Sequence, residues 1–253
     1  MYKKCNTIAV VGKGGVGKTS VSALIIKLLI ENKPGAKILA IDADPAIGLS
    51  TALGVDVGKT IDDIKQDVIR TASEGSKEDK LSILNNLDYE VFDAMVEKEG
   101  FAFLAVGRPE SEGCYCKVNN YLKEIVKELS RKFDFVVIDG EAGIEQINRR
   151  VMESVSHLIL VSDASHKGLN VIKTISNVAK DLVKYEEIGA IINRIQDEEI
   201  KKLINFNGLE LYGYLPEDQN ISMADIKGES LLELPNEGSV KALEKILKEF
   251  NIL

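Results

Sequence analysis

A chain of 253 residues, 45% hydrophobic and 28% charged, has the composition of a globular α/β protein, long enough for one large core. Its net charge of −8 argues against non-specific nucleic-acid binding, which needs a basic field. No apolar run approaches the ~18 residues of a membrane span, and Met1 to Cys5 lead into a strand without a signal peptide's apolar segment, so a cytoplasmic protein with no membrane partner is expected.

The apolar run Thr7 to Val11 reads as a buried strand and the periodic stretch Thr19 to Ile30 as a helix. Between them, Gly12-Lys13-Gly14-Gly15-Val16-Gly17-Lys18-Thr19 fits the spacing G-x-x-x-x-G-K-[ST], in the strand–loop–helix context that the pattern requires. Glycines there let successive backbone N–H groups turn inward around a phosphate, and the helix N-terminus adds partial positive charge. Lys18 is then expected to reach the β/γ-phosphates and the Thr19 hydroxyl to bind Mg²⁺, with Ser20 closing the binding stretch.

After a turn at Asn32 to Gly35, Lys37 to Ile41 forms a second buried strand ending in Asp42-Ala43-Asp44-Pro45. Acids at the carboxyl end of a strand beside such a loop sit where open α/β sheets bind ligands, although two helix-capping carboxylates would look the same. Ile61 to Ala72 and Leu87 to Glu99 read as amphipathic helices joined by a polar stretch, a surface excursion in which no chemistry is visible. A strand over Phe101 to Val106 opens into a turn carrying Cys114-Tyr115-Cys116, and a helix follows from Val118 to Arg131. Phe133 to Ile138 is a strand ending in Asp139, the apolar-run-then-Asp pattern that places a carboxylate in a Mg²⁺ shell. Leu158 to Val161, Ile188 to Ile192 and Glu210 to Leu215 are further strands; Gly168 to Lys184 and Ser239 to Phe250 are helices. Strands alternating with helices imply one domain over residues 1–253, with a doubly wound, mainly parallel sheet flanked by helices.

Lys13 is extra to the phosphate-loop pattern, and Gly-Lys-Gly-Gly-Val-Gly-Lys-Thr resembles the deviant loop of the MinD/ParA/nitrogenase-iron-protein group of ATPases. The resemblance implies an ATP-bound homodimer in which Lys13 reaches the phosphates of the partner's nucleotide. It further implies that Asp44 orients the attacking water, that Asp42 supports the Mg²⁺ region with Thr19 and Asp139, and that Asn193-Arg194 and Pro216-Glu217-Asp218 hold the adenine. An Asn amide suits an adenine edge because it offers a donor and an acceptor together. Catalysis is thereby assigned to Lys13, Lys18 and Asp44. Hydrolysis by the isolated protein is expected to be slow, since phosphoryl transfer depends mainly on positioning and charge.

Three cysteines without an export signal do not make a disulfide framework; Cys5 reads as a small buried apolar residue, whereas Cys114 and Cys116 ask for a metal or redox role. The pair supplies two thiolates and His157 and His166 stand at no ligand spacing to it, so a second copy on a twofold axis is the simplest source of an S₄ site. Tetrahedral, such a site suits Zn²⁺, Co²⁺ or an iron–sulfur cluster, and square-planar it can take Ni²⁺, so two cysteines do not fix the metal. The cysteine turn, with Gly107-Arg108-Pro109-Glu110 and Asp139-Gly140-Glu141-Ala142-Gly143, resembles accessory ATPases of the CooC type. Gln146 departs from the His expected in many such sequences. That likeness implies ATP-driven nickel delivery to apo carbon monoxide dehydrogenase or acetyl-CoA synthase. Two other readings stay open: an ATP-gated [4Fe–4S] reductase, disfavoured because Asp139 to Gly143 holds no cysteine, and a positioning ATPase, disfavoured because the C-terminal helix carries mixed charge.

Overall fold

The computed structural model describes residues 5–74, 76, 86–107, 116–140, 151, 153–204 and 208–253. In chain order the elements are β1 (Asn6–Gly12), α1 (Lys18–Asn32), β2 (Ile38–Asp42), α2 (Gly48–Leu53), α3 (Ile61–Glu74) and α4 (Leu87–Asp93). Next come β3 (Val96–Lys98), β4 (Phe101–Ala105), α5 (Cys116–Ser130), β5 (Phe135–Asp139), β6 (Ser154–Ser162) and α6 (His166–Leu182). The chain continues through β7 (Lys184–Ile195), α7 (Glu198–Leu203), β8 (Glu210–Pro216), α8 (Gln219–Lys227) and α9 (Gly238–Glu249).

All these strands join one sheet in the order β3-β4-β2-β5-β1-β6-β7-β8. Every pairing is parallel except β3 with β4. The parallel strands are apolar on both faces because helices cover both. Along β1, Ile8 and Val10 pack beneath α1 and α9, whereas Ala9 and Val11 pack beneath the layer that holds α3, α5 and α6. α1 is buried nearly all round, from Val21 to Leu29, since the sheet lies on one side of it and α2 and α9 on the other. Each large aliphatic side chain buried this way contributes roughly 1.5–3 kcal/mol.

The expected helix over Leu87 to Glu99 is corrected: α4 stops at Asp93, and Val96 to Lys98 turns back to pair antiparallel with β4. That stretch had two outlets for its backbone hydrogen bonds, and the free edge of β4 took the second half. The expected helix from Gly168 to Lys184 begins two residues earlier, where the Ser165 hydroxyl caps it by accepting from the Gly168 amide at 3.0 Å. It ends before Val183, which is extended and leads into β7. β1 lies between β5 and β6, so the chain winds outward to both sides of it, and the crevice over its carboxyl end is where such sheets take ligands.

Candidate functional site

β1 delivers its chain into the phosphate loop at Gly12, where any side chain would collide with the Val161 carbonyl of β6. The loop closes on Gly17, whose φ of 93° lies in the left-handed region and whose missing side chain leaves room for the Asn193 amide. Gly17 is the residue before α1, and its carbonyl accepts the first helical bond, from Val21, at 3.0 Å. The free N–H groups of Lys18, Thr19 and Ser20 therefore point out of the helix start, as an anion site requires. Lys18 is 7% exposed and folds back to the Lys13 carbonyl at 3.4 Å, a long bond that a phosphate oxygen would readily replace. Lys13 itself is half-buried, and its ammonium has no ion-pair partner among the described residues.

Beneath the loop, parallel pairing puts Asp42 of β2 and Asp139 of β5 in register. Both are fully buried. Asp139 accepts from the Thr19 hydroxyl at 2.7 Å and from the Ser22 hydroxyl at 2.9 Å. Burial pushes its carboxyl up to about 6, and the two hydroxyls and Lys18 pull in the opposite direction. Asp42 accepts from the amides of Asp44 at 3.1 Å and Leu49 at 2.8 Å. Burial, reinforced by the like charge of Asp139, drives its carboxyl up to about 7 against those two bonds. A hydroxyl, a buried carboxylate and a second carboxylate behind them form a hard-oxygen donor set, and two carboxylates resisting ionisation side by side fit a small divalent cation such as Mg²⁺. Asp44 stands half-buried at the mouth, with one oxygen held by the Ala46 amide at 2.9 Å. Ile47, three residues on, is β-branched yet left-handed at φ 51°, a strained link between Asp44 and α2.

Of the predicted adenine segments, Asn193 and Arg194 reach the loop, whereas Pro216 to Asp218 lie beside the end of β7 and the starts of α8 and α9. β7 ends in Asn193 and Arg194; the Asn193 amide donates to the Val16 carbonyl at 2.9 Å and its oxygen accepts from the Arg194 amide at 2.9 Å. Arg194, left-handed at φ 59°, donates from its guanidinium to the Gly15 carbonyl at 3.0 Å. These two residues thus brace the phosphate loop, and the Asn193 amide keeps one hydrogen and one lone pair for a base. Pro216 pairs with Ile195 in the sheet, and Glu217 accepts from Gln196 at 2.8 Å. Asp218 caps α8 through the Asn220 amide at 3.0 Å and accepts from the Ser239 amide of α9 at 2.9 Å, so its carboxylate ties two helix starts together.

Sequence reasoning missed Ser22. It lies three residues after Thr19 on the same side of α1, and a serine inside the run Val21 to Leu29 is the signal that could have found it. Cys116 opens α5, but its side chain, Cys114 and the segment after Gly140 lie outside the described residues. Among the described residues, no His, Cys, Asp and Glu side chains gather in threes around a possible metal position. No described helix is long and apolar enough to cross a membrane.

A left-handed glycine loop, a helix start and a hydrogen bond from Thr19 of α1 to the buried Asp139 at the end of β5, the parallel neighbour of β1, together define a nucleotide-binding protein of the P-loop class. Residues 7–232 match the CbiA model, the CobQ/CobB/MinD/ParA nucleotide binding domain, and the chain belongs to that family. It is 39% identical to an uncharacterized ATP-binding protein of Methanocaldococcus jannaschii over 96% of this chain and 97% of the relative. It is 28% identical to the carbon monoxide dehydrogenase accessory protein CooC of Rhodospirillum rubrum over 90% of this chain and 89% of that protein. Among solved structures it is similar to the septum site-determining protein MinD of Pyrococcus horikoshii OT3, complexed with Mg-ADP, with 25% identity and a TM-score of 0.69 over 98% of this chain and 96% of that one.

Proposed function

We propose that the protein hydrolyses ATP as a homodimer and uses the cycle to carry a thiolate-bound metal ion, Ni²⁺ or Zn²⁺, to an apo-metalloenzyme of the carbon monoxide dehydrogenase or acetyl-CoA synthase kind. The observation that carries the ATPase part is the 2.7 Å contact between Thr19 and Asp139, 120 residues apart, directly under the phosphate loop. Mg²⁺, when bound with ATP, neutralises charge between the β- and γ-phosphates. Thr19 and Asp139 would hold it, with Asp42 behind them keeping Asp44 and Leu49 in place. Lys18 leaves the Lys13 carbonyl for the phosphates, Lys13 crosses the twofold axis to the partner's nucleotide, and Asp44 uses its free oxygen to align the attacking water. Asn193 and Arg194 fix the loop while Pro216, Glu217 and Asp218 border the base.

The metal part rests on Cys114 and Cys116 at the entrance to α5 and on the similarity to CooC, whose name ties it to carbon monoxide dehydrogenase. Two such pairs meeting on a twofold axis supply four thiolates. Equilibrium dialysis of Ni²⁺ and Zn²⁺ against reduced protein, with and without ATP and Mg²⁺, tests this reading. One metal per dimer is expected, lost in Cys114→Ser and Cys116→Ser; unchanged binding by either variant overturns it. The MinD structure favours a second reading, a positioning ATPase, for which ATP-dependent sedimentation with acidic liposomes and no thiol-dependent metal binding is the expected result.

A further inference from the structure

At the opposite end of the sheet from the nucleotide site, the surface excursion before β4 walls a cavity of about 470 Å³. It opens among the C-terminal turn of α1, the start of β2, the α4–β3 connection and the end of α5. Its interior is apolar, with Ile38, Phe92, Met95, Phe101 and Leu129 on the lining. Four lysines converge on the same space, Lys33, Lys37, Lys98 and Lys132, against one acid, Glu97. In a chain of net charge −8, this is a local reversal of sign. None of the four lysines has an ion-pair partner among the described residues, although their neighbours on α5, Lys127 and Arg131, are matched with Glu124 and Glu128.

A second cavity of about 520 Å³ adjoins the first and shares Phe92, Leu129 and Lys132 with it. Its walls carry Tyr89 and Tyr121, which with Phe92 stand 66%, 47% and 53% exposed, three large rings left in water on one side of α4 and α5. Of the acids of this second space, Glu124 and Glu128 are already paired on their own helix, and Asp88 at the start of α4 has no ion-pair partner among the described residues. The combined groove thus offers a lysine-rimmed chamber and, leading away from it, an aromatic trough in which Asp88 and the shared Lys132 are the only charges without an ion-pair partner among the described residues. Small-molecule sites have this make-up: a concave apolar body of roughly 300–1,000 Å³ with a few convergent polar groups.

We propose that this groove is a binding site for a small amphiphilic anion, an aliphatic or aromatic body of about ten carbons ending in a carboxylate or a phosphate ester. The lysines take the anionic head, Phe101, Leu129 and Met95 cover its neck, and Phe92, Tyr89 and Tyr121 bear on the body. The site is independent of the metal reading above, because none of its residues belongs to the phosphate loop or the cysteine turn.

Isothermal titration of the full-length protein, with its nucleotide site filled by Mg-ADP, tests the proposal. The probes are decanoate, decyl phosphate, decyltrimethylammonium and inorganic phosphate, each below its micelle-forming concentration. Saturable 1:1 binding of decanoate, decyl phosphate or both is expected, and which of the two binds more tightly identifies the head group. The double variant Lys37→Glu/Lys98→Glu should weaken that binding about tenfold or more, and Phe92→Ser should weaken it without changing the preference for anions. All three positions are exposed, so the fold should survive, which a circular dichroism melt checks. Absence of saturable binding by both anionic amphiphiles, equal binding of the cationic one, equal binding of inorganic phosphate, or indifference to the charge reversal each overturns the proposal.

Discussion

Replacing Asp42 with asparagine should make the nucleotide-free protein more stable at alkaline pH, although the substitution strikes the middle of the site. A carboxyl held near pH 7 instead of its ordinary 3.8 costs the folded state about 4 kcal/mol when it is ionised. The folded state keeps its proton up to about pH 7, whereas the unfolded chain releases it near 3.8. Between those values the folded state binds more protons, so stability falls as pH rises and levels off above the folded value. Asparagine removes the charge but has a single acceptor oxygen for two amides, those of Asp44 and Leu49. Leaving one of these buried groups without its acceptor costs about 1–3 kcal/mol. The net expectation for Asp42→Asn is a gain of about 1–3 kcal/mol at pH 8.5, and a small loss at pH 5, where the wild-type carboxyl is already neutral. Urea denaturation in EDTA at the two pH values measures both. A variant less stable than wild type at pH 8.5, or one with an undiminished loss between pH 5 and 8.5, would refute the reasoning.

Gly17→Ala forces a side chain into a left-handed position and against the Asn193 amide, so it should cost about 1–3 kcal/mol and abolish binding of a fluorescent ATP analogue. Asn193→Ala leaves the Val16 carbonyl without its donor; ATP affinity should drop several-fold by titration calorimetry, with melting lowered by about 1–3 kcal/mol of stability. Asp44→Ala should bind ATP within a factor of about three of wild type while its turnover in a phosphate-release assay drops about a hundredfold or more. Normal turnover in that variant would remove Asp44 from the chemistry.

The phosphate loop and Asp139 were legible because their chemistry demands fixed residue types at fixed spacing, and the parallel sheet because its strands are continuous apolar runs. Asp42 was legible as a carboxylate in the right place, but its two amide bonds, which make it both a cap and a buried charge, emerge only when β2 is set beside β5. The stretch from Leu87 to Glu99 was misjudged because a helical period and a short strand share its residues, and the unpaired edge of β4 decided between them. α2, α7 and α8 went unread for a related reason: at six, six and nine residues they are too short to show a period and depend on caps such as Asp197 and Asp218. The bracing of the loop by Asn193 and Arg194 joins residues some 180 positions apart, and no local pattern announces it.

The claim that most needs testing is that each phosphate loop is half of an interface, with Lys13 acting on the partner's nucleotide. Lys13→Ala and Lys18→Ala should each be inactive alone in a phosphate-release assay. Mixed in equal amounts, they form dimers in which the intact loop of the Lys13→Ala subunit faces the Lys13 of the Lys18→Ala subunit. Statistical pairing around a twofold axis then restores up to about a quarter of wild-type turnover. A mixture as inactive as its two components would contradict the account and confine Lys13 to its own subunit.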